Sequence, residues 1–96
     1  MDIKRALKNA NETGTLTIGF RETLKELKKG KVKLIIIASN CPEEDVKVLK
    51  GYKVPLYRFS EGNMDLGAAT GKPFSISTLG VINAGKSDIL TLKGEQ

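Results

Sequence analysis

The feature that most constrains the fold of this 96-residue chain is an unbroken apolar run, Leu34-Ile35-Ile36-Ile37-Ala38. Isoleucine favours extended backbone, and a run without polar alternation is typical of a central strand that is covered on both faces. Helix and strand patterns alternate along the rest of the chain, at intervals too short for two domains. We therefore expect an α/β fold: a three-layer α/β/α sandwich whose mixed sheet has four or five strands.

Local signals divide the chain into helices and strands, with a glycine following three of the helices. Pro42 is expected at the first position of the third helix, with Cys41 as its cap. Gly67 is expected to allow a close approach of the fourth helix to the sheet. The predicted helices cover residues 3–10, 20–29, 42–50 and 62–70, and the predicted strands cover residues 15–18, 34–38, 54–59, 74–82 and 89–92.

The positive charge of the chain is concentrated in its first third. The formal net charge is +5. Residues 1–33 contain nine basic and four acidic side chains, whereas residues 34–96 contain seven of each. The whole excess therefore lies before the central strand. Such an asymmetric positive patch favours a polyanionic partner, of which nucleic acid is the commonest.

The second predicted helix carries part of this charge as a stripe. Arg21, Lys25 and Lys28 are spaced to line up along one side of the helix, beside an apolar face that begins with Phe20. The helix starts directly after Gly19, so free backbone N–H groups and a cationic row would lie together, as a phosphate chain requires. The same spacing also fits an ordinary solvated amphipathic helix.

The sequence lacks the residues of common catalytic and metal sites. It contains no histidine and only one cysteine, Cys41, which can form no intrachain disulfide and suits a reducing cytosol. Residues 80–87 match the Gly-x4-Gly-Lys-Ser phosphate-loop pattern, but strand patterns lie on both sides, where a nucleotide site needs a helix after the lysine. We therefore expect no enzyme activity, cofactor or metal. The sequence also shows no signal peptide or membrane-spanning run.

Three further residues are candidates for ligand contacts. Asn40 follows the central strand, and its amide either caps a helix or turns the chain locally, or is available to hydrogen-bond a base edge. Phe74 and Ile76 are predicted to share one face at the start of a late strand, after an exposed loop. They belong either to the core or to an apolar platform for a splayed-out base.

Five segments, in order and spanning nearly the whole chain, resemble the archaeal and eukaryotic large-subunit ribosomal protein family called L-thirty-e, part of the kink-turn RNA-binding superfamily. The segment between Asn40 and Pro55 looks about one helical turn shorter than is usual for that family. The matching segments are residues 19–21 (Gly-Phe-Arg), 33–40 (Lys-Leu-Ile-Ile-Ile-Ala-Ser-Asn), 62–67 (Gly-Asn-Met-Asp-Leu-Gly), 71–74 (Gly-Lys-Pro-Phe) and 87–90 (Ser-Asp-Ile-Leu).

The resemblance implies a structural role in the large ribosomal subunit, with residues 1–96 forming one RNA-binding domain that is monomeric when free and cytoplasmic. It also implies binding to a kinked internal loop of ribosomal RNA. The first strand–helix turn would meet the RNA, the residue after the central strand would read a base near tandem G·A pairs, and two late residues would pack on an extruded nucleotide. By matching position these are Gly19, Phe20 and Arg21, then Asn40, then Phe74 and Ile76.

Two alternatives remain at the level of the sequence. The chain could be a sister-type kink-turn ribonucleoprotein scaffold outside the ribosome, or a regulator of its own messenger RNA. It could also be a protein-interaction module of the same superfamily, although the basic first third argues against that role.

Overall fold

Helices and strands alternate along residues 2–92, which are the residues that the computed structural model describes. The helices are α1 (Ile3–Thr13), α2 (Phe20–Lys28), α3 (Glu43–Lys50) and α4 (Asn63–Ala69). The strands are β1 (Thr15–Ile18), β2 (Leu34–Ile37), β3 (Leu56–Arg58) and β4 (Thr78–Asn83), and a short 3₁₀ helix covers Ile89–Thr91.

The strands form one mixed sheet in the order β1-β4-β2-β3. β4 is antiparallel to both β1 and β2, whereas β3 is parallel to β2. All four residues of β2 are buried, and Ile36 pairs with Leu79 on one side and with Tyr57 on the other. The unbroken apolar run is therefore an interior strand, as its composition predicts.

Side chains of β2 alternate between two apolar clusters, because successive strand residues point to opposite faces of a sheet. Leu34 and Ile36 lie in the cluster that α1 and α4 cover, which also contains Leu7 and Leu66. Ile35 and Ile37 lie in the cluster that α2 and α3 cover, which also contains Leu27, Val46 and Leu49. The predicted three-layer α/β/α sandwich is confirmed.

The last sheet strand begins four residues later than its pattern predicts. Residues 74–77 lie outside the sheet, and the backbone N–H of Ile76 donates to the carbonyl of Asn63 at 2.9 Å instead of to a neighbouring strand. Pairing starts where Ala38 N–H donates to Ser77 O, also at 2.9 Å. The apolar residues before Thr78 are thus held by α4, which sequence periodicity cannot distinguish from a strand.

The predicted strand over residues 89–92 is wrong, because side-chain hydrogen bonds curl this segment into a 3₁₀ helix. Ser87 Oγ donates to the carbonyl of Ala6 at 2.6 Å and accepts the N–H of Ile89 at 3.1 Å. Thr91 Oγ1 donates to the carbonyl of Asp88 at 2.7 Å. The two bonds within residues 87–91 are local and compete with strand pairing, and the fully buried Ile89 then packs beside α1.

The segment after β2 corrects two smaller predictions. Pro42 is the N-cap residue of α3 and not its first helical residue, so Cys41 does not cap the helix. Cys41 is instead buried, with its Sγ 3.5 Å from Thr78 Oγ1.

The phosphate-loop match over residues 80–87 lacks the structural context of a nucleotide site, since Gly80 lies inside β4 and a 3₁₀ helix follows Ser87. No helix within residues 2–92 has the length and apolar character needed to cross a membrane.

Candidate nucleic-acid interface

Four chain segments meet at one edge of the sheet, where β1, β2 and β3 end and β4 begins. Backbone hydrogen bonds join them: Gly19 N–H donates to Thr78 O at 2.8 Å, Ala38 N–H to Ser77 O at 2.9 Å, and Ser39 N–H to Glu61 O at 2.9 Å. We call this region the strand-end surface. It consists of residues 19–21, 39–41, 61–64 and 74–77.

Gly19 forms the turn between β1 and α2 at this surface. Its φ of 95° lies in the left-handed region that favours glycine, and no atom outside residues 18–20 lies within 4 Å of the position where a Cβ would be. No side chain caps the start of α2. The first N–H groups of a helix lack partners within the helix, so this end of α2 offers an open position for a negatively charged group.

The basic stripe of α2 leads away from that end. Arg21, Lys25 and Lys28 are exposed and line a shallow depression together with Leu24 and Lys29. Phe20 packs against the core cluster while remaining half-buried, and Leu24 is also half-buried. On the side of α2 that faces the protein interior, the hydroxyl of Thr23 lies 2.8 Å from that of Thr17. The predicted cationic row of Arg21, Lys25 and Lys28 therefore lies on one continuous exposed surface.

Asn40 is exposed, but its amide has one bonded end. The backbone N–H of Asn63, the first residue of α4, donates to Asn40 Oδ1 at 2.9 Å. The local role predicted for Asn40 is thus a capping role, although the capped helix is α4 and not the helix that follows it in sequence. Among residues 2–92, no protein acceptor takes an N–H from Asn40 Nδ2, so this end of the amide is available to a ligand.

The structure separates Phe74 from Ile76. Phe74 is 52% exposed, whereas Ile76 is 2% exposed and belongs to the core cluster beneath α4. The prediction that the two share one strand face is wrong, because neither residue lies in β4. Of these two residues, only Phe74 is exposed to a ligand, and Ile76 anchors the segment that carries it.

Gly67 explains how this segment reaches its place. A Cβ at Gly67 would overlap the carbonyl oxygen of Phe74, so only glycine lets residues 74 and 75 pass so close to α4. The close approach predicted for Gly67 is therefore made to the segment that presents Phe74, and not to the sheet.

Two residues of the strand-end surface escape sequence reasoning. Asn63 holds Asn40 through its N–H and Ile76 through its carbonyl, and its side-chain nitrogen lies 3.5 Å from Ser77 Oγ. Met64, in the next position, is 76% exposed. Gly62 and Asn63 are residue types that favour helix starts, and their place before an apolar pattern is the sequence signal for Asn63. Nothing in the sequence marks Met64 as exposed.

Charge is distributed unevenly around the strand-end surface. Glu43, Glu44 and Asp45 occupy the first turn of α3, where they complement the dipole of that helix and repel anions. Lys4 Nζ lies 3.0 Å from Glu61 Oε2, and this contact raises the pKa of Lys4. The start of α2, with Arg21 beside it, is consequently the end of this edge that best suits a phosphate.

The described residues offer little for catalysis. Burial raises the pKa of the Cys41 thiol, and the hydrogen bond with Thr78 only partly opposes this effect, so the thiol remains protonated at neutral pH. Within residues 2–92, no three His, Cys, Asp or Glu side chains are grouped to hold a metal ion. The geometry therefore provides hydrogen bonding, an aromatic surface and positive charge.

Comparison with known proteins agrees with the resemblance noted in the sequence. Residues 1–91 match the model of the ribosomal protein L7Ae/L30e/S12e/Gadd45 family. The chain is 41% identical to the large ribosomal subunit protein eL30 of Methanothrix thermoacetophila, over 99% of this chain and 92% of the relative. It is 40% identical to the protein of the same name from Methanoregula boonei, over 97% of each chain.

A eukaryotic relative extends this comparison beyond the archaea. The large ribosomal subunit protein eL30 of Candida glabrata is 44% identical over 83% of this chain and 80% of its own length. The family match over residues 1–91 covers the strand-end surface and the basic stripe as well as the core. This chain belongs to the ribosomal protein L7Ae/L30e/S12e/Gadd45 family.

Proposed function

We propose that this chain is a non-catalytic constituent of the large ribosomal subunit, and that its single domain binds a kinked internal loop of ribosomal RNA. The name shared by its relatives supports the ribosomal assignment. The observation that carries the RNA-binding assignment is the strand-end surface, which brings Arg21, Asn40 and Phe74 to one edge of the sheet although they lie far apart in sequence. In this proposal the protein works in the cytoplasm, and is a monomer when free.

The proposal divides the contacts by their chemistry. Gly19, Phe20 and Arg21 meet the RNA backbone at the open start of α2, and Lys25 and Lys28 continue the phosphate contacts along that helix. These phosphate contacts supply affinity that does not depend on the base sequence of the RNA.

Selectivity for the kinked RNA comes from the part of the strand-end surface that contains Asn40 and Phe74. Asn40 hydrogen-bonds a base near the tandem G·A pairs, and the exposed ring of Phe74 stacks on an extruded nucleotide. The buried Ile76 supports the segment below that ring. A regular duplex has no extruded base and no accessible edge of this kind, so it meets only the cationic half of the surface.

A gel-shift comparison of a kinked internal-loop RNA with its fully paired counterpart tests RNA selectivity. We expect strong preference for the kinked RNA, and we expect Asn40→Ala to weaken binding to it by about 1–3 kcal/mol with little effect on the duplex.

Asn83→Ala is the matched control for this experiment. Asn83 is also exposed, and its Oδ1 also accepts a backbone N–H, that of Gly85 at 2.8 Å, but it lies at the other end of β4. Equal binding of the wild-type protein to both RNAs would contradict the proposal. Sedimentation with large ribosomal subunits, as opposed to free ribonucleoprotein fractions, tests the ribosomal assignment separately.

A further inference from the structure

We propose that a second basic surface of this protein binds the phosphate backbone of a separate RNA duplex, so that the protein joins two RNA segments. This surface consists of residues 31–33 and 50–55, and we call it the lysine end. It contains four lysines and no acidic residue. The choice of RNA as the polyanion rests on the proposed function, whereas the surface itself follows from the fold and its charges.

The lysine end lies at the opposite end of the sheet from the strand-end surface. Residues 31–33 lead into β2 and residues 50–55 lead into β3, and these two strands are parallel. Ile35 N–H donates to Pro55 O at 2.9 Å, so the two segments enter the sheet side by side. The strand-end surface begins where the same strands end. At about 3.3 Å per residue, the backbone from Lys33 to Ser39 spans about 20 Å.

Apolar anchors hold the two segments in place and leave their lysines outside. Val32 is buried, and Tyr52 and Val54 pack against the same apolar cluster, which α2 and α3 cover. The lysines that alternate with these anchors are exposed, namely Lys31, Lys33 and Lys53. Among residues 2–92, none of these three lysines forms an ion pair, so their charges are available to a ligand.

Helix dipoles do not account for this charge. A cation near the C-terminus of a helix stabilises that helix, but the effect is confined to the last turn. Lys33 lies five residues beyond the end of α2, and Lys53 lies three residues beyond the end of α3. Clustered like charges repel each other and oppose folding, whereas their combined field attracts a polyanion. The arrangement therefore indicates binding.

The chemistry of the lysine end suits a duplex that is contacted through its phosphates. An ammonium group on a flexible stem binds phosphate oxygens as a point charge and does not require a particular base. Single-stranded RNA is usually bound by exposed rings on which its bases stack. Tyr52, the one aromatic residue of the lysine end, packs against the core instead. We therefore expect the occupant to be a regular RNA duplex, bound without base selectivity.

The directions in which the two surfaces face require the occupant to be a separate segment. The domain measures 28 × 24 × 23 Å, and the two surfaces lie at opposite ends of its sheet. A nucleic-acid duplex is stiff over distances of this size, so a duplex arm that leaves the strand-end surface does not bend around the domain. Two RNA segments can consequently bind at the same time.

A two-colour binding experiment tests for the second site. The protein is first loaded with one equivalent of a kinked internal-loop RNA that carries one fluorophore, and a plain RNA duplex that carries another is then titrated. We expect a ternary complex of one protein, one kinked RNA and one duplex, with a duplex affinity that falls as the salt concentration rises. Displacement of the kinked RNA by the duplex, or no duplex binding to the loaded protein, would overturn the inference.

Charge removal tests which residues form the second site. We expect Lys33→Gln/Lys53→Gln to weaken duplex binding by the loaded protein about tenfold and to leave the affinity for the kinked RNA within about twofold. Arg5→Gln/Lys8→Gln is the matched control, because it removes two exposed cations of α1, on the other side of the sheet. Unchanged duplex binding in Lys33→Gln/Lys53→Gln, or an equal loss in the control, would overturn the assignment to the lysine end.

The outcomes also separate this inference from the proposed function. If the wild-type protein prefers the kinked RNA but the loaded protein binds no duplex, only the second site fails. If the wild-type protein does not distinguish the kinked RNA from its duplex control, the proposed function fails. A loss of duplex binding in Lys33→Gln/Lys53→Gln but not in the control, measured without kinked RNA, would then still support the lysine end.

Discussion

Asn40 Oδ1 accepts the backbone N–H of Asn63 at 2.9 Å, so a side chain from the segment after β2 binds the first N–H of α4, whose N-cap residue is Gly62. The residues are 23 positions apart in sequence. One side chain therefore stabilises a helix and, in the proposed function, also reads a base. These two roles use opposite ends of the same amide, so they can be separated by substitution.

Stability measurements separate the capping role from RNA binding. Asn40→Ala leaves the start of α4 without its cap, and we expect the free energy of unfolding to fall by about 0.5–2 kcal/mol. Asn40→Asp keeps the acceptor and adds a negative charge near a helix N-terminus, so it should be at least as stable as the wild-type protein. Urea unfolding of the three proteins provides the measurement. An aspartate variant as unstable as the alanine variant would show that the hydrogen bond contributes nothing.

Gly67→Ala should disrupt the segment that presents Phe74. Alanine favours helix by about 1 kcal/mol over glycine, but its Cβ would overlap the Phe74 carbonyl oxygen, so overlap outweighs propensity and unfolding becomes easier by about 1–3 kcal/mol or more. Ala68→Gly is the control, since it changes only propensity at the adjacent exposed position. Thermal unfolding distinguishes them. A Gly67→Ala variant more stable than the wild-type protein would refute the close approach.

Lys28 and Lys47 form a pair for testing the basic stripe. Both are exposed lysines in the last turn of a helix on the same side of the sheet, but Lys28 lies in the stripe and Lys47 in α3. We expect Lys28→Ala to reduce the slope of log affinity against log salt by about 0.7–0.9, and Lys47→Ala to leave it unchanged. Kinked-RNA titrations at several salt concentrations provide the slopes. Identical slopes in both variants would exclude Lys28 from phosphate contact.

Burial of Cys41 makes the fold sensitive to alkaline pH. Its pKa is raised above the ordinary value of 9.0, so the unfolded chain loses the thiol proton first. The stability that the neutral thiol contributes is complete below pH 9.0 and declines as the pH rises through the higher folded-state pKa.

As the pH rises above 9.0, we expect the free energy of unfolding to fall more steeply in the wild-type protein than in Cys41→Ala. Comparing slopes, and not absolute stabilities, removes the effect of the cavity and of the lysines common to both proteins. Parallel pH profiles of the two proteins would mean that the thiol has the same pKa in the folded and unfolded states.

The sequence was most informative where periodicity alone determines structure. The apolar run of β2, the amphipathic face of α2 and the glycines that end helices led to the correct layers. Periodicity failed for residues 74–77 and 89–91, where hydrogen bonds to acceptors in α4, Ser87 and Asp88 replace strand pairing. Such bonds join segments distant in sequence or depend on one hydroxyl, so no local pattern reveals them.

The candidate site also combines features that local sequence patterns predict with features that depend on tertiary contacts. The cationic row of Arg21, Lys25 and Lys28 follows from helical spacing, and the structure keeps it on one surface. The different exposures of Phe74 and Ile76 depend on how closely a loop passes Gly67, which is a tertiary contact. Whether Asn40, Phe74 and the other site residues touch RNA remains a prediction for the experiments above.

The position of β4 between β1 and β2 affects how the protein can be made. β1 has no other neighbour in the sheet of residues 2–92, so it stays unpaired until residues 78–83 are available. During synthesis most of the chain must emerge before the sheet can be completed, and the early helices have only part of a core to cover. Folding therefore waits for the C-terminal portion, and a chain truncated before residue 78 would expose unpaired strand edges and tend to aggregate.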